Sequence, residues 1–271
     1  MPIDKPCVLV TGAGRGLGRA IAERFYKNGY HVVATDYDAG LLSDLDGQEG
    51  YTIAALDVTN DEAADAVATM IDDKLGRLDV LVNNAGINSF YPVCEAPTPM
   101  TVNTFNINTF GPLRTIRACL DLLTESTGRI VNVSSESAPL RTPFQSYASS
   151  KMALEALSDA MRRELTLMGV HLALVRPGAI KTELFDDIHH LQNAVENSRF
   201  ERFFGRFAKG VARRVPKNPS PPEDVAAVVY EAATDTKKKV LYRINNDLTL
   251  RILSRLPSKL LDKLLTGDLN A

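Results

Sequence analysis

The sequence predicts an α/β fold: one doubly wound parallel β-sheet of about seven strands with helices on both faces. Two observations predict this fold. Apolar segments rich in β-branched residues alternate with segments of helical periodicity along most of the chain, as in parallel sheets covered by helices. The apolar segments are continuous, which indicates strands buried on both sides. A length of 271 residues accommodates this sheet in a single domain, 1–271.

Each strand is predicted from a short apolar run. In chain order the runs are CVLV (7–10), HVVATD (31–36), YTIAALDV (51–58), LDVLVNNAG (78–86), GRIVNVSS (128–135), HLALVRPG (171–178) and KKKVLYRI (237–244). Apolar spacing predicts helices at 18–29, 61–76, 99–123, 146–164 and 223–234. We expect Gly111-Pro112 to bend the third helix.

Two segments depart from the alternation. Residues 183–222 mix aromatic, charged and proline residues, and long excursions of this kind often form lids. We therefore expect a substrate lid or loop insertion at 183–222. Residues 248–271 are expected to form a C-terminal helical tail.

The composition argues against several functions. A formal net charge of −2 gives no reason to expect nucleic-acid binding. Cys7, Cys94 and Cys119 lack the spacing of a metal site or a disulfide framework, so no metal is expected and the cytoplasm is the simplest location. No apolar run has the length of a signal peptide or a membrane span.

A glycine-rich turn, TGAGRGLG, joins the first strand to the first helix. Glycines allow a close approach of the backbone to a ligand, and the start of a helix attracts a pyrophosphate. The spacing differs from G-x-G-x-x-G because position 17 is Leu17. The strand before and the helix after still favour a Rossmann-type dinucleotide site.

Asp36 ends the second strand, 18 residues beyond Gly18. A carboxylate there accepts hydrogen bonds from a ribose diol and repels a 2′-phosphate, which favours NAD over NADP. Arg15 in the glycine turn could assist a 2′-phosphate, but Tyr37 and Asp38 follow Asp36 where a cation would be needed. The competing interpretation of Asp36 is a turn-forming aspartate.

Tyr147 and Lys151 are four residues apart at the start of a predicted helix, so both side chains lie on one face. An ammonium beside a phenol favours the phenolate and lowers the phenol pKa. The pair therefore predicts a group that exchanges a proton with an alcohol. Taken alone, the pattern also fits a surface lysine beside a tyrosine.

Together these motifs resemble those of the short-chain dehydrogenase/reductase family over nearly the whole chain. The family's TGxxxGxG, adenine-contacting Asp, NNAG, active-site Asn, Ser, YxxxK and PG-x-x-x-T all occur in order. The resemblance implies the catalytic residues Asn108, Ser135, Tyr147 and Lys151. It implies cofactor contacts at Thr11, Gly12, Arg15, Gly16, Leu17, Gly18, Asp36, Asp57, Val58, Asn84, Ala85, Gly86, Tyr147, Lys151, Pro177, Gly178, Ile180 and Thr182.

The implied reaction moves a hydride between a secondary alcohol or ketone and the nicotinamide, with Tyr147 as general acid/base. In this reaction Lys151 lowers the pKa of the Tyr147 phenol, and Ser135 polarises the substrate oxygen. Asn108 holds a water beside the lysine. Strand register selects Ser135 over Ser134, although a spacing of 13 residues, common in the family, would select Ser134. Asn108 could instead satisfy a carbonyl at a helix kink.

Two hypotheses of other classes remain. A dinucleotide sensor with this fold would typically lack the tyrosine or the lysine. An S-adenosylmethionine methyltransferase shares a glycine turn and an acid after the second strand but needs neither NNAG nor YxxxK. Within enzymes, the alternative is an NADPH-dependent carbonyl reductase.

The substrate is less defined. The stretch 147–182 resembles the retinol- and 17-beta-hydroxysteroid-dehydrogenase-like branch, which implies a lipophilic alcohol. The aromatic residues of 183–222 suit an apolar pocket or pack a lid or a subunit interface. The basic, leucine-rich tail could touch a membrane surface, but Pro257 interrupts it, and we favour a cover over a pocket or a partner subunit. The family commonly forms homodimers and homotetramers.

Overall fold

A computed structural model describes residues 3–181, 195, 197–214 and 219–270. Within them lies one sheet of seven parallel strands in the order β3-β2-β1-β4-β5-β6-β7. The strands are β1 (Cys7–Thr11), β2 (His31–Asp36), β3 (Tyr51–Ala55), β4 (Val80–Asn83), β5 (Arg129–Val133), β6 (His171–Pro177) and β7 (Leu241–Ile244). The expected doubly wound α/β fold is confirmed.

The helices connect these strands and cover both faces of the sheet. They are α1 (Gly16–Lys27), α2 (Asp61–Leu75), α3 (Thr98–Phe105), α4 (Gly111–Ala118), α5 (Leu120–Glu125), α6 (Ser146–Leu167), α7 (Glu201–Arg214), α8 (Pro222–Thr234), α9 (Leu248–Leu253) and α10 (Ser258–Asn270). Short 3₁₀ segments lie at Ala39–Leu45 and Ala138–Leu140, and a π-helical turn spans Asn106–Phe110.

The apolar core consists of two layers, one on each face of the sheet. Helices α1 and α8 cover one face, where Phe25 and Val229 are fully buried. Helices α2, α4 and α6 cover the other, where Ile71 and Leu81 are buried. The central strands are buried on both faces, which explains why their sequences are continuous apolar runs.

Local signals fix where individual helices begin and end. Helix α2 starts after Asn60, whose Oδ1 accepts a hydrogen bond of 2.8 Å from the Ala63 amide, and such a cap contributes about 1 kcal/mol. It ends at Gly76 with φ of +68°, a left-handed conformation that suits glycine.

The structure refines several predicted boundaries. The third strand ends at Ala55 rather than at 58, and the last begins at Leu241 rather than at 237. The single helix predicted at 99–123 is divided into α3, the π turn, α4 and α5. The π turn ends at Phe110, immediately before Gly111-Pro112, where a bend was expected.

The two C-terminal segments are described unequally. Within 183–222, α7 and the start of α8 are described, whereas Leu184, Phe185, Ile188, His189 and His190 lie outside the described residues. Thr182, just before this segment, also lies outside them. In the tail, α9 and α10 are separated at Pro257. Across the parts of the chain that the structure describes, no helix combines the length and the apolar character needed to cross a membrane.

Candidate active site

The glycine turn after β1 meets the NNAG segment after β4, because these two strands are neighbours in the sheet. The Thr11 hydroxyl accepts hydrogen bonds from the amides of Asn84 (3.1 Å) and Ala85 (3.0 Å). The Asn84 side chain donates in return to the carbonyls of Thr11 (3.0 Å) and Gly12 (3.2 Å). The two loops are thereby held together where the strand order reverses, the usual ligand site of such sheets.

The glycines of the turn are required by close packing. A Cβ atom at Gly18 would lie 1.9 Å from the carbonyl oxygen of Gly12, so no side chain fits there. Gly12 has φ of +66°, and its Cβ would lie 3.0 Å from Cα of Ala85. Gly16 also has a positive φ, of +56°. Leu17 instead packs against the core.

Helix α1 begins after Arg15 without a side-chain cap from the described residues. Its first amide N–H groups are therefore directed at whatever binds above the turn. This arrangement fits the pyrophosphate of a dinucleotide, and the residues that would hold it are those of the turn.

Asp36 lies at the edge of this turn and is buried. Its Oδ2 accepts a hydrogen bond of 2.9 Å from the Gly14 amide. The carboxylate is therefore fixed next to the turn. The following Tyr37 is exposed.

Asp57 and Val58 follow β3, the outermost strand on this side. Asp57 is exposed, and its Oδ1 accepts hydrogen bonds of 2.8 Å from the amide and the hydroxyl of Thr59. Val58 is buried and packs against Gly111. A Cβ atom added to Gly111 would lie 2.9 Å from Cγ2 of Val58.

Tyr147 and Lys151 lie on one face of α6, with Nζ of Lys151 5.9 Å from the centre of the Tyr147 ring. Nζ donates a hydrogen bond of 2.8 Å to the Val133 carbonyl at the end of β5. Burial lowers the pKa of Lys151 from 10.5 to about 8, and Glu155 acts in the opposite direction.

The sequence analysis expects Lys151 to lower the pKa of Tyr147, whereas the structure raises the pKa of this phenol above its ordinary value. The pKa of Tyr147 is raised because burial disfavours the phenolate, and a hydrogen bond with the Ser135 side chain lowers it only in part. Desolvation therefore sets the direction of the shift in the pKa of Tyr147.

The two serines after β5 have different partners. The Ser135 hydroxyl interacts with Tyr147 and lies 3.0 Å from the Ser137 hydroxyl. Ser134 is buried and donates a hydrogen bond of 2.5 Å to Oε1 of Glu155. The structure thus brings Ser135 to the tyrosine and turns Ser134 away from it.

Asn108 is fully buried in the π-helical turn between α3 and α4. Its side chain accepts from the Ile87 amide (2.9 Å) and donates to the Ile87 carbonyl (2.9 Å) and the Ser150 hydroxyl (3.0 Å). A Cβ atom at Gly86 would lie 3.1 Å from Oδ1 of Asn108 and 3.4 Å from Nζ of Lys151. Asn108, Gly86 and Lys151 therefore lie together.

The loop after β6 lies across the same edge of the sheet. The Pro177 carbonyl accepts a hydrogen bond of 3.0 Å from the Glu136 amide, and the Gly178 amide donates 2.9 Å to the Ile244 carbonyl. Ile180 pairs with Ser220 in an isolated bridge. Thr182, the last residue of the predicted motif, lies outside the described residues.

Sequence comparison agrees with this geometry. A family model described as short chain dehydrogenase matches residues 6–193. The chain belongs to the short-chain dehydrogenase family.

Three similar proteins illustrate the relationship. The chain is 30% identical to the NADPH-dependent 3-dehydrocapnine reductase of Ornithobacterium rhinotracheale, with 96% of each chain covered. It is 35% identical to estradiol 17-beta-dehydrogenase 2 of Rattus norvegicus, covering 68% of this chain and 50% of that protein. A solved short-chain dehydrogenase from Burkholderia cenocepacia J2315 in complex with NADP shows 25% identity and a TM-score of 0.75, covering 98% of this chain and 99% of that one.

These findings confirm the resemblance drawn from the motifs and support an oxidoreductase that binds a nicotinamide dinucleotide. The rat enzyme gives loose support to the steroid-dehydrogenase-like branch. In a short-chain dehydrogenase, the pyrophosphate would lie over the glycine turn, and the nicotinamide would lie near Tyr147 and Lys151.

Some residues behind the site were missed by the sequence analysis. Glu155, one helical turn after Lys151, is buried and forms an ion pair with Arg176 of β6, whose Nε lies 2.6 Å from Oε1 of Glu155. The spacing between Lys151 and Glu155 on one helix face was the available signal. Ser150 was also missed, and its hydroxyl joins Asn108 to the carbonyl of Tyr147 at 2.7 Å.

Proposed function

We propose that this short-chain dehydrogenase exchanges a hydride between a nicotinamide dinucleotide and a ketone or secondary alcohol, with Tyr147 as the general acid/base. One observation carries the proposal: the Tyr147 hydroxyl interacts with the side chain of Ser135, and the buried ammonium of Lys151 lies 5.9 Å from the centre of the Tyr147 ring. A ketone oxygen placed between the two hydroxyls would be bound, and protonated as the hydride arrives, by groups that are already positioned.

In the reducing direction, the carbonyl carbon accepts the hydride while its oxygen takes the proton of the Tyr147 hydroxyl. A reduced nicotinamide, when bound, would supply this hydride and be left oxidised. Ser135 donates a hydrogen bond to the oxygen as negative charge develops on it. The raised pKa of Tyr147 supports this direction near neutral pH, because the phenol is then protonated and ready to donate.

The Tyr147 phenolate left by this step is stabilised by the Lys151 ammonium. Lys151 retains substantial positive charge at neutral pH because its pKa is about 8. The Val133 carbonyl holds the ammonium in place. Asn108 and Ser150, which lie next to Lys151, provide polar atoms through which a proton could return to the site.

We propose NAD as the preferred cofactor. Asp36 is buried beside the glycine turn and is held by the Gly14 amide, so it would face the adenosine ribose as a fixed negative charge. A 2′-phosphate at that position would be repelled at short range. A related reductase named as NADPH-dependent makes NADPH the alternative.

We propose a lipophilic substrate on the basis of an aromatic cluster near Tyr147. Phe144, three residues before Tyr147, packs edge-on against Phe200, Phe204 and Phe207 with ring centres 5.4–5.9 Å apart. Phe204 is 1% exposed. The cluster joins the loop before α6 to helix α7, so one wall beside the catalytic tyrosine is apolar.

The experiment is the Tyr147→Phe variant, assayed for reduction of steroid, retinoid and aliphatic ketones with NADH and NADPH. We expect kcat to fall by about 10²–10⁴-fold, while dinucleotide binding measured by NADH fluorescence stays unchanged. Tyr26→Phe, an exposed tyrosine on α1, is the matched control. Wild-type turnover by Tyr147→Phe would reject the acid/base assignment, and binding of NADH without turnover of any ketone by the native protein would favour the sensor.

A further inference from the structure

A cavity of about 220 Å³ lies between the loop after β5, the ends of β6 and β7, and helix α9. Its volume is more than ten times the roughly 10–15 Å³ that a single water molecule needs. Four arginines line it: Arg176, Arg243, Arg251 and Arg255.

The sheet register places two of these arginines side by side. Arg176 of β6 is paired with Arg243 of β7, so both side chains leave the sheet on the same face. Like charges opposite each other on neighbouring strands are destabilising. Glu155 neutralises Arg176 through a buried ion pair, which leaves Arg243 as the uncompensated member.

The other two arginines come from the C-terminal tail. Arg251 lies on α9 and Arg255 follows its end. Within the described residues, no ion pair or side-chain hydrogen bond joins Arg243, Arg251 or Arg255 to another residue. Burial lowers the pKa of Arg243, and the positive charges of Arg176, Arg251 and Arg255 lower it further.

The acidic group in the wall, Glu136, forms no ion pair with any of these arginines among the described residues. Burial raises the pKa of Glu136, which disfavours its carboxylate form, and its Oε2 accepts a hydrogen bond of 2.8 Å from the Asp247 amide. The Asn246 side chain donates to the Arg176 carbonyl at 2.9 Å. Within the described residues, three of the four guanidinium groups that line the cavity thus have no carboxylate paired with them.

We propose that this cavity binds an oxyanion: a carboxylate, sulfonate or phosphate group. Guanidinium groups bind such groups through paired, charge-assisted hydrogen bonds. The anion is either a group of the substrate or a separate ion from solution. An anionic group on the substrate rests on the proposed ketone reduction.

The position of Glu136 connects the cavity to the reacting centre. Glu136 directly follows Ser135, and its Oε1 lies 3.2 Å from where a Cβ of Gly178 would be. The wall of the arginine cavity therefore begins one residue after Ser135. A substrate with its anionic group a few bonds from the carbonyl would reach both.

The first experiment measures anion binding directly. The native protein and Arg251→Gln/Arg255→Gln are compared by thermal shift titration with sodium phosphate. Sodium chloride at equal ionic strength is the control, and NADH is saturating throughout. We expect the apparent phosphate Kd to rise at least about tenfold in this variant. Arg163→Gln/Lys237→Gln, which removes two charges from exposed positions, should leave it unchanged, and Arg243→Gln provides an independent second variant.

The second experiment identifies the source of the anion. Keto acids of increasing chain length are compared with their methyl esters as substrates. We expect the ratio of kcat/KM for the acid to kcat/KM for the ester to fall about tenfold in Arg251→Gln/Arg255→Gln. The kinetics of the esters should not change in this variant. Lost phosphate binding without any preference for acids assigns the site to a free anion. Equal phosphate binding and equal ratios in all variants overturn the proposal. If no ketone is reduced, the proposed function fails while phosphate binding still decides the site.

Discussion

The Nζ atom of Lys151 lies 5.9 Å from the centre of the Tyr147 ring. The ammonium is held beneath the ring by the carbonyl of Val133 at the end of β5, so its position depends on the sheet and not only on the helix that carries both residues. The predictions below concern this pair, the two serines after β5, Asp36 and the glycine turn after β1.

Ser135→Ala should shift the pH profile of alcohol oxidation. The hydrogen bond between Ser135 and Tyr147 lowers the pKa of the phenol, so its removal raises that pKa. Because oxidation needs the phenolate, the rising limb of kcat/KM should move to higher pH, with kcat reduced about 10²-fold or more at neutral pH. The measurement is the pH dependence of kcat/KM for one secondary alcohol.

Ser134→Ala is the matched control for that experiment. Ser134 donates to Glu155 rather than to Tyr147, so the profile should keep its position, although the buried Glu155 loses a hydrogen bond and stability falls by about 1 kcal/mol. A shift of the limb in Ser134→Ala but not in Ser135→Ala would reverse the assignment of the two serines.

Lys151→Met should change the pH dependence of stability. The pKa of Lys151 drops from 10.5 to about 8 on folding because its charged form is buried. The unfolded chain therefore binds the proton more tightly, and the resulting penalty is full below about pH 8 and fades as pH rises toward 10.5.

The difference in the free energy of unfolding between the native protein and Lys151→Met should thus change by about 2 kcal/mol from pH 8 to pH 10, in favour of the native protein. Urea unfolding at several pH values measures it. Lys74→Met, at an exposed position of α2, should show no such change. A difference that stays constant with pH would contradict the lowered pKa.

Asp36→Asn should relax the cofactor preference. The amide oxygen of asparagine can still accept the hydrogen bond from the Gly14 amide, so the turn is kept while the negative charge is removed. We expect the NADH-to-NADPH ratio of kcat/KM to fall about tenfold or more. Asp46→Asn, which alters an exposed carboxylate ten residues further along the chain, should leave the ratio unchanged. A native protein that already prefers NADPH would contradict the proposal.

Gly18→Ala should abolish dinucleotide binding. The added Cβ would lie 1.9 Å from the Gly12 carbonyl oxygen and 2.6 Å from Nδ2 of Asn84, so the turn must move. We expect a loss of about 1–3 kcal/mol in stability, together with the loss of NADH binding measured by calorimetry. Gly205→Ala on α7, where a Cβ meets no atom within 4 Å, should bind NADH normally. Normal binding by Gly18→Ala would show that the turn does not hold the cofactor.

The sequence by itself determined the features that depend on local spacing. Continuous apolar runs marked the central strands because a strand covered on both faces has no polar side, and weaker runs marked the edge strands β3 and β7. The glycines of the turn and the spacing of Tyr147 and Lys151 were readable because each lies within a few residues of chain. Their catalytic and cofactor-binding roles stay predictions, and Thr182 lies outside the described residues.

Only the tertiary structure decided which distant groups meet. Ser134 and Ser135 are adjacent in sequence, and the position of Glu155 on α6 separates their partners. The direction in which the pKa of Tyr147 is shifted depends on burial by the surrounding elements. A pattern of four residues contains no information about that burial. Arg176 and Arg251 are 75 residues apart in the sequence, and they line one cavity because the chain returns to the edge of the sheet after β7. Charge and desolvation act through space, so their sum is set by the fold.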